Sequence, residues 1–212
     1  GMSSYPDFNP NNYQKYKKET LSRNLPIWAS YEPGSTFKII TLSAALEEKV
    51  IKVFEDHFHD GGAINVEGAR IKCWKKGGHG SQTFLQVVQN SCNPGFVVMG
   101  QKLGKQKLYE YVEKFGMTEK TGVDLNGEAK GIMFKYDNIG PVEQATISFG
   151  QGISVTAIQQ VSAVSAIINN IPILKSNLRT TPLNGKIFGY LRSQIAQKLS
   201  VHGVLLDIHG MG

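Results

Sequence analysis

Tyr31-Glu32-Pro33-Gly34-Ser35-Thr36-Phe37-Lys38 is a turn that runs straight into an apolar stretch, Ile39 to Leu46, and its reading decides the fold. Pro33 and Gly34 end whatever precedes them, and Phe37, Ile40, Ala44 and Ala45 then recur at helical spacing. Ser35 is therefore expected in the first turn of a helix. At ~3.6 residues per turn, Ser35 and Lys38 share one face about a turn apart, which sets a nucleophile beside a base. A serine hydroxyl attacks poorly at neutral pH unless a neighbour removes its proton. A lysine can do so when burial or nearby charge holds it partly neutral. Backbone N–H groups at the helix start would stabilise an oxyanion near Ser35. The plainer reading makes Ser35 an N-cap and Lys38 a solvated lysine, and Ser-x-x-Lys alone is too short to choose.

Working outward, Met2 to Asn12 is dense in turn formers and is expected as an extended surface arm, with a short polar helix over Tyr13 to Leu21. Leu25, Ile27 and Trp28 are expected to pack below the key turn. Beyond the first helix, the alternating Ala63-Ile64-Asn65-Val66 and Ala69-Arg70-Ile71-Lys72-Cys73-Trp74, joined by Glu67-Gly68, predict a hairpin. His57, His59 and Asp60 sit on its approach and His79 stands apart. No second ligand pair lies at metal spacing, so the histidines read as solvated and no metal and no cofactor is assigned. Ser81 to Val88 predicts an N-capped helix that stops at Asn90-Ser91-Cys92-Asn93, and Pro94-Gly95 opens the next helix, Phe96 to Leu103. That leaves Ser91, Cys92 and Asn93 in a tight inter-helix turn, well placed to point into a cleft.

Lys105 to Phe115 predicts an amphipathic helix with Leu108, Tyr111, Val112 and Phe115 inward. Val155 to Ile168 is apolar almost all round and reads as a central buried helix, with the loop Gly150-Gln151-Gly152 before it lining the cleft floor.

The 212 residues carry 41% hydrophobic content, enough for one good core or two small ones. The formal charge of +6 suits a surface near anionic polymers such as cell-wall material. It is too diffuse for nucleic acid, since Lys15, Lys17 and Lys18 form the only tight basic run before Lys75 and Lys76. No stretch approaches the ~20 apolar residues of a membrane span, and the start does not read as a signal peptide. Gly1 before Met2 reads as an expression scar, so the chain is expected to be a soluble piece of a larger anchored protein.

Glu32-Pro33-Gly34-Ser35-Thr36-Phe37-Lys38 followed by Ser91-Cys92-Asn93 resembles the first two motifs of the class B penicillin-binding transpeptidases, within the serine β-lactamase-like superfamily. Met2 to Asn11, Arg23-Asn24, Phe115-Gly116-Met117 through Glu128, and Ser148-Phe149-Gly150-Gln151-Gly152-Ile153-Ser154-Val155-Thr156 resemble family segments in the family's order. The resemblance implies an α+β, transpeptidase-like fold, of which this chain holds the mainly helical part with a short hairpin and an incomplete or missing central sheet. It implies a peptidoglycan D,D-transpeptidase in which Ser35 attacks a stem-peptide carbonyl and Lys38 takes its proton. Ser91 relays a proton to the leaving group, Asn93 holds Lys38 and the substrate amide, and Gly150, Gln151 and Gly152 contact substrate. Stem peptides and β-lactam antibiotics are the implied partners, and the extracytoplasmic face of a bacterial membrane the implied location. The sporulation-specific type, which this chain resembles most, carries a cysteine pair of the kind seen in Cys73 and Cys92. That implies a redox pair whose bridge would distort the second motif, served by a thiol-disulfide oxidoreductase.

The family's third motif, Lys-Thr-Gly, lies on a sheet strand. Lys120-Thr121-Gly122 is a loop copy and does not qualify, and residues 171–212 contain no other. Residues 1–170 therefore read as a partial transpeptidase domain and 171–212 as a divergent tail without a family match. Two further function classes stay open: a non-catalytic β-lactam-binding or sensor fragment, and a serine β-lactamase, for which no deacylating Glu-x-x-x-Asn loop follows the second motif. A half-domain of this kind exposes apolar surface, so self-association is expected.

Overall fold

A computed structural model describes residues 2–169, and the tail over 171–212, in which the residue pattern predicts a helix at Lys186 to Leu199, lies outside the described residues. In chain order the helices are α1 (Lys18–Ser22), α2 (Leu25–Trp28), α3 (Lys38–Glu47), α4 (Phe84–Gln89), α5 (Asn93–Leu103), α6 (Lys105–Lys114), α7 (Pro141–Ile147) and α8 (Ala157–Asn169). The strands are β1 (Ser30–Tyr31), β2 (His57–Asp60), β3 (Ala63–Val66), β4 (Ala69–Lys72), β5 (Gly80–Thr83) and β6 (Val155–Thr156). They pair antiparallel as β1 with β6, β2 with β5 and β3 with β4.

The helix that organises the fold is α3. Phe37, Ile40 and Ala44 face one apolar core, shared with Leu108, Val112, Phe115, Ile147 and Ala163. Leu42 and Ala45 face a second, shared with Val66, Phe84, Val87, Phe96 and Met99. A helix packed on two sides has no polar stripe to give to water, so α3 reads as nearly uniform in hydropathy. Its polar members are satisfied internally: buried Thr41 donates through Oγ1 to the Ser148 carbonyl at 2.9 Å, and Ser43 donates to the Ile39 carbonyl at 2.7 Å.

The expected hairpin is present with β3 and β4 in register, Ile64 opposite Ile71 and Val66 opposite Ala69. Four expectations are corrected. Ser81 to Thr83, expected as the start of a helix, belong instead to the strand Gly80–Thr83, because this stretch pairs with His57 to Asp60, far back in the chain. The helix then starts at Phe84 under a capping box formed by Thr83 and Gln86. The polar helix expected over Tyr13 to Leu21 divides into a 3-10 turn at Pro10–Lys15 and the short α1. Val155 and Thr156 pair with Tyr31 and Ser30 before α8 begins. Lastly, α8 is half buried rather than central: Ala163, Ala166 and Ile167 face the core while Val161 and Ile168 are 62% and 54% exposed.

The start of α8 is fixed by Gln159. Its buried Oε1 accepts from the Thr156 backbone N–H, and its Nε2 lies within 3.3 Å of the carbonyls of Gly116, Met117, Glu119 and Lys130. This one amide gathers the loops after α6 against α8, including the segment with Lys120-Thr121-Gly122. That segment is a loop as expected, with the Thr121 and Gly122 N–H groups donating to the Glu128 carboxylate.

Candidate active site

Pro33 and Gly34 set up a 3-10 turn, Gly34–Phe37, that passes directly into α3. Ser35 therefore lies one turn before Lys38, exposed at the surface, while Lys38 is buried, only 4% exposed. On the other side, α4 ends at Gln89 and α5 begins at Asn93, and the chain reverses through Ser91 in a left-handed conformation, φ 48°. That conformation is disfavoured for a residue with a Cβ and persists where surrounding contacts fix it. Here it turns both the carbonyl and the hydroxyl of Ser91 toward Lys38.

The Lys38 Nζ sits among three oxygens: the Ser91 carbonyl at 2.8 Å, Ser91 Oγ at 2.9 Å and Asn93 Oδ1 at 2.6 Å. The first and last have no hydrogen to give, so each must take an N–H from the lysine. The Ser91 hydroxyl is the only one of the three able to return a proton. When Lys38 is neutral, its lone pair is therefore left facing Ser91 Oγ. Ser91 Oγ in turn lies 3.1 Å from Ser35 Oγ. Ser35, Ser91 and Lys38 thus form a hydrogen-bonded chain, with Asn93 as the brace of its far end. Sequence spacing alone suggested a direct Ser35–Lys38 contact, but the structure places the Ser91 hydroxyl between them.

Burial lowers the Lys38 pKa to about 8 from an ordinary 10.5, partly opposed by the thiols of Cys92 and Cys73. At pH 7.5 about a quarter of such an amine is neutral, against roughly 0.1% at the ordinary value. The Phe96 ring, 5.2 Å from Nζ, forms part of the apolar wall responsible.

Gly150, Gln151 and Gly152 lie against the nucleophile turn. The Gly34 N–H donates to the Gly150 carbonyl at 2.9 Å, and the Gly152 N–H donates to Glu32 Oε1 at 2.9 Å. Gly150 has φ 82°, and a Cβ there would stand 2.2 Å from the Gly34 carbonyl oxygen and 2.7 Å from the Phe37 Cβ. Only glycine fits so close a crossing. Gly150→Ala is expected to push the Ser35 turn outward, lowering thermal stability by about 1–3 kcal/mol and serine acylation at least tenfold. A melting curve with a fluorescent-penicillin time course checks both, and an unchanged acylation rate would show that the loop does not position Ser35.

Cys73 and Cys92 are both buried free thiols. They belong to a cluster that the sequence reading did not assemble. Asp60 Oδ2 lies 2.9 Å from His79 Nδ1 and 3.3 Å from Cys92 Sγ, and Cys73 Sγ is 3.4 Å from the same His79 nitrogen. The chain crosses itself to make this cluster. Cys73 N–H donates to the Gly62 carbonyl at the end of the hairpin, and Gly78 returns so close that a Cβ would meet the Asp60 carbonyl oxygen at 2.1 Å. His57 and His59 stay outside it, exposed, because alternate residues of β2 face opposite ways. The solvated histidines expected from sequence are found at His57 and His59, and the expectation is corrected at His79, whose side chain is enclosed with Asp60. The signal that marks the cluster is the pair of double glycines, Gly61-Gly62 and Gly77-Gly78, where two backbones touch.

Burial pushes the Asp60 carboxyl up, but hydrogen bonds from Cys73, His79, the Gly62 N–H and Cys92 outweigh it and hold it below the usual carboxylate range. Burial pushes the Cys92 thiol up to about 12, and Cys73 is raised for the same reason.

The transpeptidase domain of penicillin-binding proteins matches residues 1–200 of this chain. Over 169 residues the chain is 61% identical to stage V sporulation protein D of Bacillus subtilis, an alignment covering 80% of this chain and 26% of that protein. It is 30% identical over 158 residues to the peptidoglycan D,D-transpeptidase FtsI of Escherichia coli K12, covering 74% and 26%. Among solved structures, penicillin-binding protein 3 of Mycobacterium tuberculosis complexed with aztreonam superposes with a TM-score of 0.65 at 30% identity, over 69% of this chain and 33% of that one. The chain spans about a quarter of the length of the two curated relatives. The likeness of fold agrees with the α+β, transpeptidase-like architecture expected from sequence.

Proposed function

Because the chain belongs to the penicillin-binding protein transpeptidase domain family, we propose that it is the part of a peptidoglycan D,D-transpeptidase that carries the acyl-accepting serine. The observation that carries this reading is the hydrogen-bonded run Ser35–Ser91–Lys38–Asn93, assembled from two distant stretches of chain. In the proposed reaction, neutral Lys38 draws a proton from Ser91 Oγ, which takes one from Ser35 Oγ as it attacks the carbonyl of the penultimate D-alanine of a stem peptide. Lys38, now an ammonium, returns the proton along the same path to the departing amine. The acyl group then passes from Ser35 to an amine of a neighbouring strand. Gly150, Gln151 and Gly152 are proposed as the floor under the substrate, supported by their hydrogen bonds to Gly34 and Glu32 beside the nucleophile. A β-lactam would present its ring carbonyl to the same hydroxyl and remain as a slow acyl-enzyme.

The test is intact mass after penicillin exposure, followed by peptide mapping. One adduct per chain on the peptide bearing Ser35 is the expected result. No adduct at high drug concentration would replace this reading with an inactive fragment, and rapid nitrocefin turnover would replace it with a β-lactamase.

The likeness to a sporulation protein supports a role in spore-wall synthesis, at the extracytoplasmic face of the membrane. No described helix is long and apolar enough to cross a membrane. Cys73 and Cys92, with sulfurs within 4.8 Å of each other, are proposed as a redox pair. A thiol-disulfide oxidoreductase in its disulfide form would take two electrons and two protons from them, becoming a dithiol as the Cys73–Cys92 bond forms. Closing to bonding distance draws the α5 N-terminus toward β4 and with it Ser91 and Asn93. Thiol labelling and penicillin acylation, each before and after reductant, test this, and equal acylation in both states would remove the idea.

A further inference from the structure

The β3–β4 hairpin shows a different face on each side. Ile64 and Ile71 lie opposite each other and pack against the second apolar core, with Val66 buried beside them. On the outer face Asn65 lies opposite Arg70 and Ala63 opposite Lys72, so two short side chains leave both cations standing clear. The alternation runs on past the end of β4. Cys73 turns inward, its N–H donating to the Gly62 carbonyl at 2.9 Å, and Trp74 turns outward. Arg70, Lys72 and Trp74 therefore form one exposed row, about 13 Å long at the usual rise of a strand. We propose that this row binds a peptidoglycan strand, with a sugar ring stacked on Trp74 and stem-peptide carboxylates paired to Arg70 and Lys72.

The first support is Trp74 itself. It is 67% exposed and yet held in place. Its Nε1–H donates to the Asn90 carbonyl at 2.8 Å, and its ring meets the His79 ring edge to face at 5.3 Å. Asn90 is fixed in turn, its Nδ2 donating to Oε1 of buried Gln82 at 2.9 Å. With its one polar group satisfied, the indole has only apolar surface left to offer. Trp28 differs, because the Arg23 guanidinium lies 4.2 Å over its ring. Among the described residues no cation covers Trp74. An uncovered aromatic face already in position suits the C–H face of a sugar and loses little freedom on binding.

Charge supplies the second support. Lys75 and Lys76 follow Trp74, and neither they nor Arg70 and Lys72 enter an ion pair among the described residues. Those cations are left for an anionic partner. A neutral glycan would leave them unmet, and a phosphate polymer would leave the indole unmet. A glycan strand with carboxylate-bearing stems meets both.

Position links the row to the chemistry. Trp74 is bonded to Asn90, the residue before Ser91, whose hydroxyl stands 3.1 Å from Ser35 Oγ. A strand lying along the row is thereby led to the turn that carries the relay. The choice of peptidoglycan as the polymer rests on the acyl-transfer reading, whereas the row and its chemistry do not.

The test is the binding of fluorescently labelled, uncross-linked peptidoglycan strands with pentapeptide stems to the 212-residue chain, followed by anisotropy. Affinity is expected to fall as salt rises, because exposed ion pairs are screened. Strands should bind more tightly than poly-glutamate, which offers carboxylates alone, or chito-oligosaccharide, which offers sugar alone. Trp74→Ala should weaken binding about tenfold, while Trp74→Phe, which keeps a ring but not the N–H, should stay within about threefold of the original. Arg70→Ala combined with Lys72→Ala should weaken it about fivefold. Lys17→Ala with Lys18→Ala, which removes the same charge at the start of α1, should change nothing. The Arg70 and Lys72 comparison still reads out if a tryptophan variant fails to fold. Unchanged affinity in that double variant would overturn the proposal, and so would poly-glutamate or wall teichoic acid binding as tightly as the strands. Equal losses in Trp74→Ala and Trp74→Phe would also overturn it, since the indole would then act only through the Asn90 carbonyl. Penicillin adduct formation on the same preparation keeps the two readings apart. An adduct at Ser35 without strand binding ends this inference alone, and strand binding without an adduct ends the acyl-transfer reading alone.

Discussion

Lys38→Met is expected to lower the rate of penicillin acylation by about 10³-fold while leaving the chain folded. Methionine keeps the length and apolar stem that pack against Phe96, but it has no lone pair of useful basicity to receive the proton from Ser91. The pH profile separates this role from a merely structural one. The lysine must be neutral to act, and burial sets its pKa at about 8, so acylation by the unaltered chain should rise with pH and level off above that value. Below it, the rate should fall about tenfold per pH unit as the ammonium form takes over. The ionisable groups that act on the amine are the thiols of Cys92 and Cys73, and Ser35, Ser91 and Asn93 carry no charge in this range. The methionine variant should show a flat profile. A variant within threefold of the original, or one that keeps the rise near pH 8, would show that the base lies elsewhere.

Removing the hydroxyl between nucleophile and base should cost nearly as much. Ser91→Ala leaves Ser35 Oγ with no bridge to Lys38, and about a 10²-fold slower acylation is expected. Ser91 also occupies a left-handed conformation, so a second substitution distinguishes relay from backbone shape. Ser91→Gly removes the same hydroxyl but relieves the strain, and should be as slow as the alanine variant yet more stable than it by about 0.5–1 kcal/mol. Acylation kinetics and thermal melts on the pair supply both comparisons. A glycine variant that acylates at the original rate would mean that Ser91 acts through the turn alone.

The parts of the molecule legible in the sequence are those fixed by local pattern. The α3, α5 and α6 periodicities, the β3–β4 hairpin with its Glu67-Gly68 turn and the Ser91-Cys92-Asn93 break between helices all fall where residue spacing put them. The hidden parts depend on distant pairing. Gly80-Ser81-Gln82-Thr83 has no apolar alternation and becomes a strand only because His57 to Asp60 is there to bond it. Ser30 and Tyr31 find Thr156 and Val155 more than a hundred residues away. The Asp60–Cys73–His79–Cys92 cluster was illegible for a related reason. Its spacings of 13, 6 and 13 residues fit no short ligand motif, and His79 looks isolated until the β2–β5 register sets it beside Asp60. On α8, apolarity alone overstated burial, since a run of Val, Ile and Ala does not say which side the core will occupy.

The position of α3 bears on how such a protein can escape a drug that targets its serine. Seven of the ten α3 residues are buried, Lys38 among them, and they serve two cores at once. Heritable changes that slow acylation by altering this helix would also weaken folding, so they should be rare. Tolerated variants should instead accumulate at the rim, around exposed Gln151 and Thr36, where a side chain can alter access without disturbing what lies underneath.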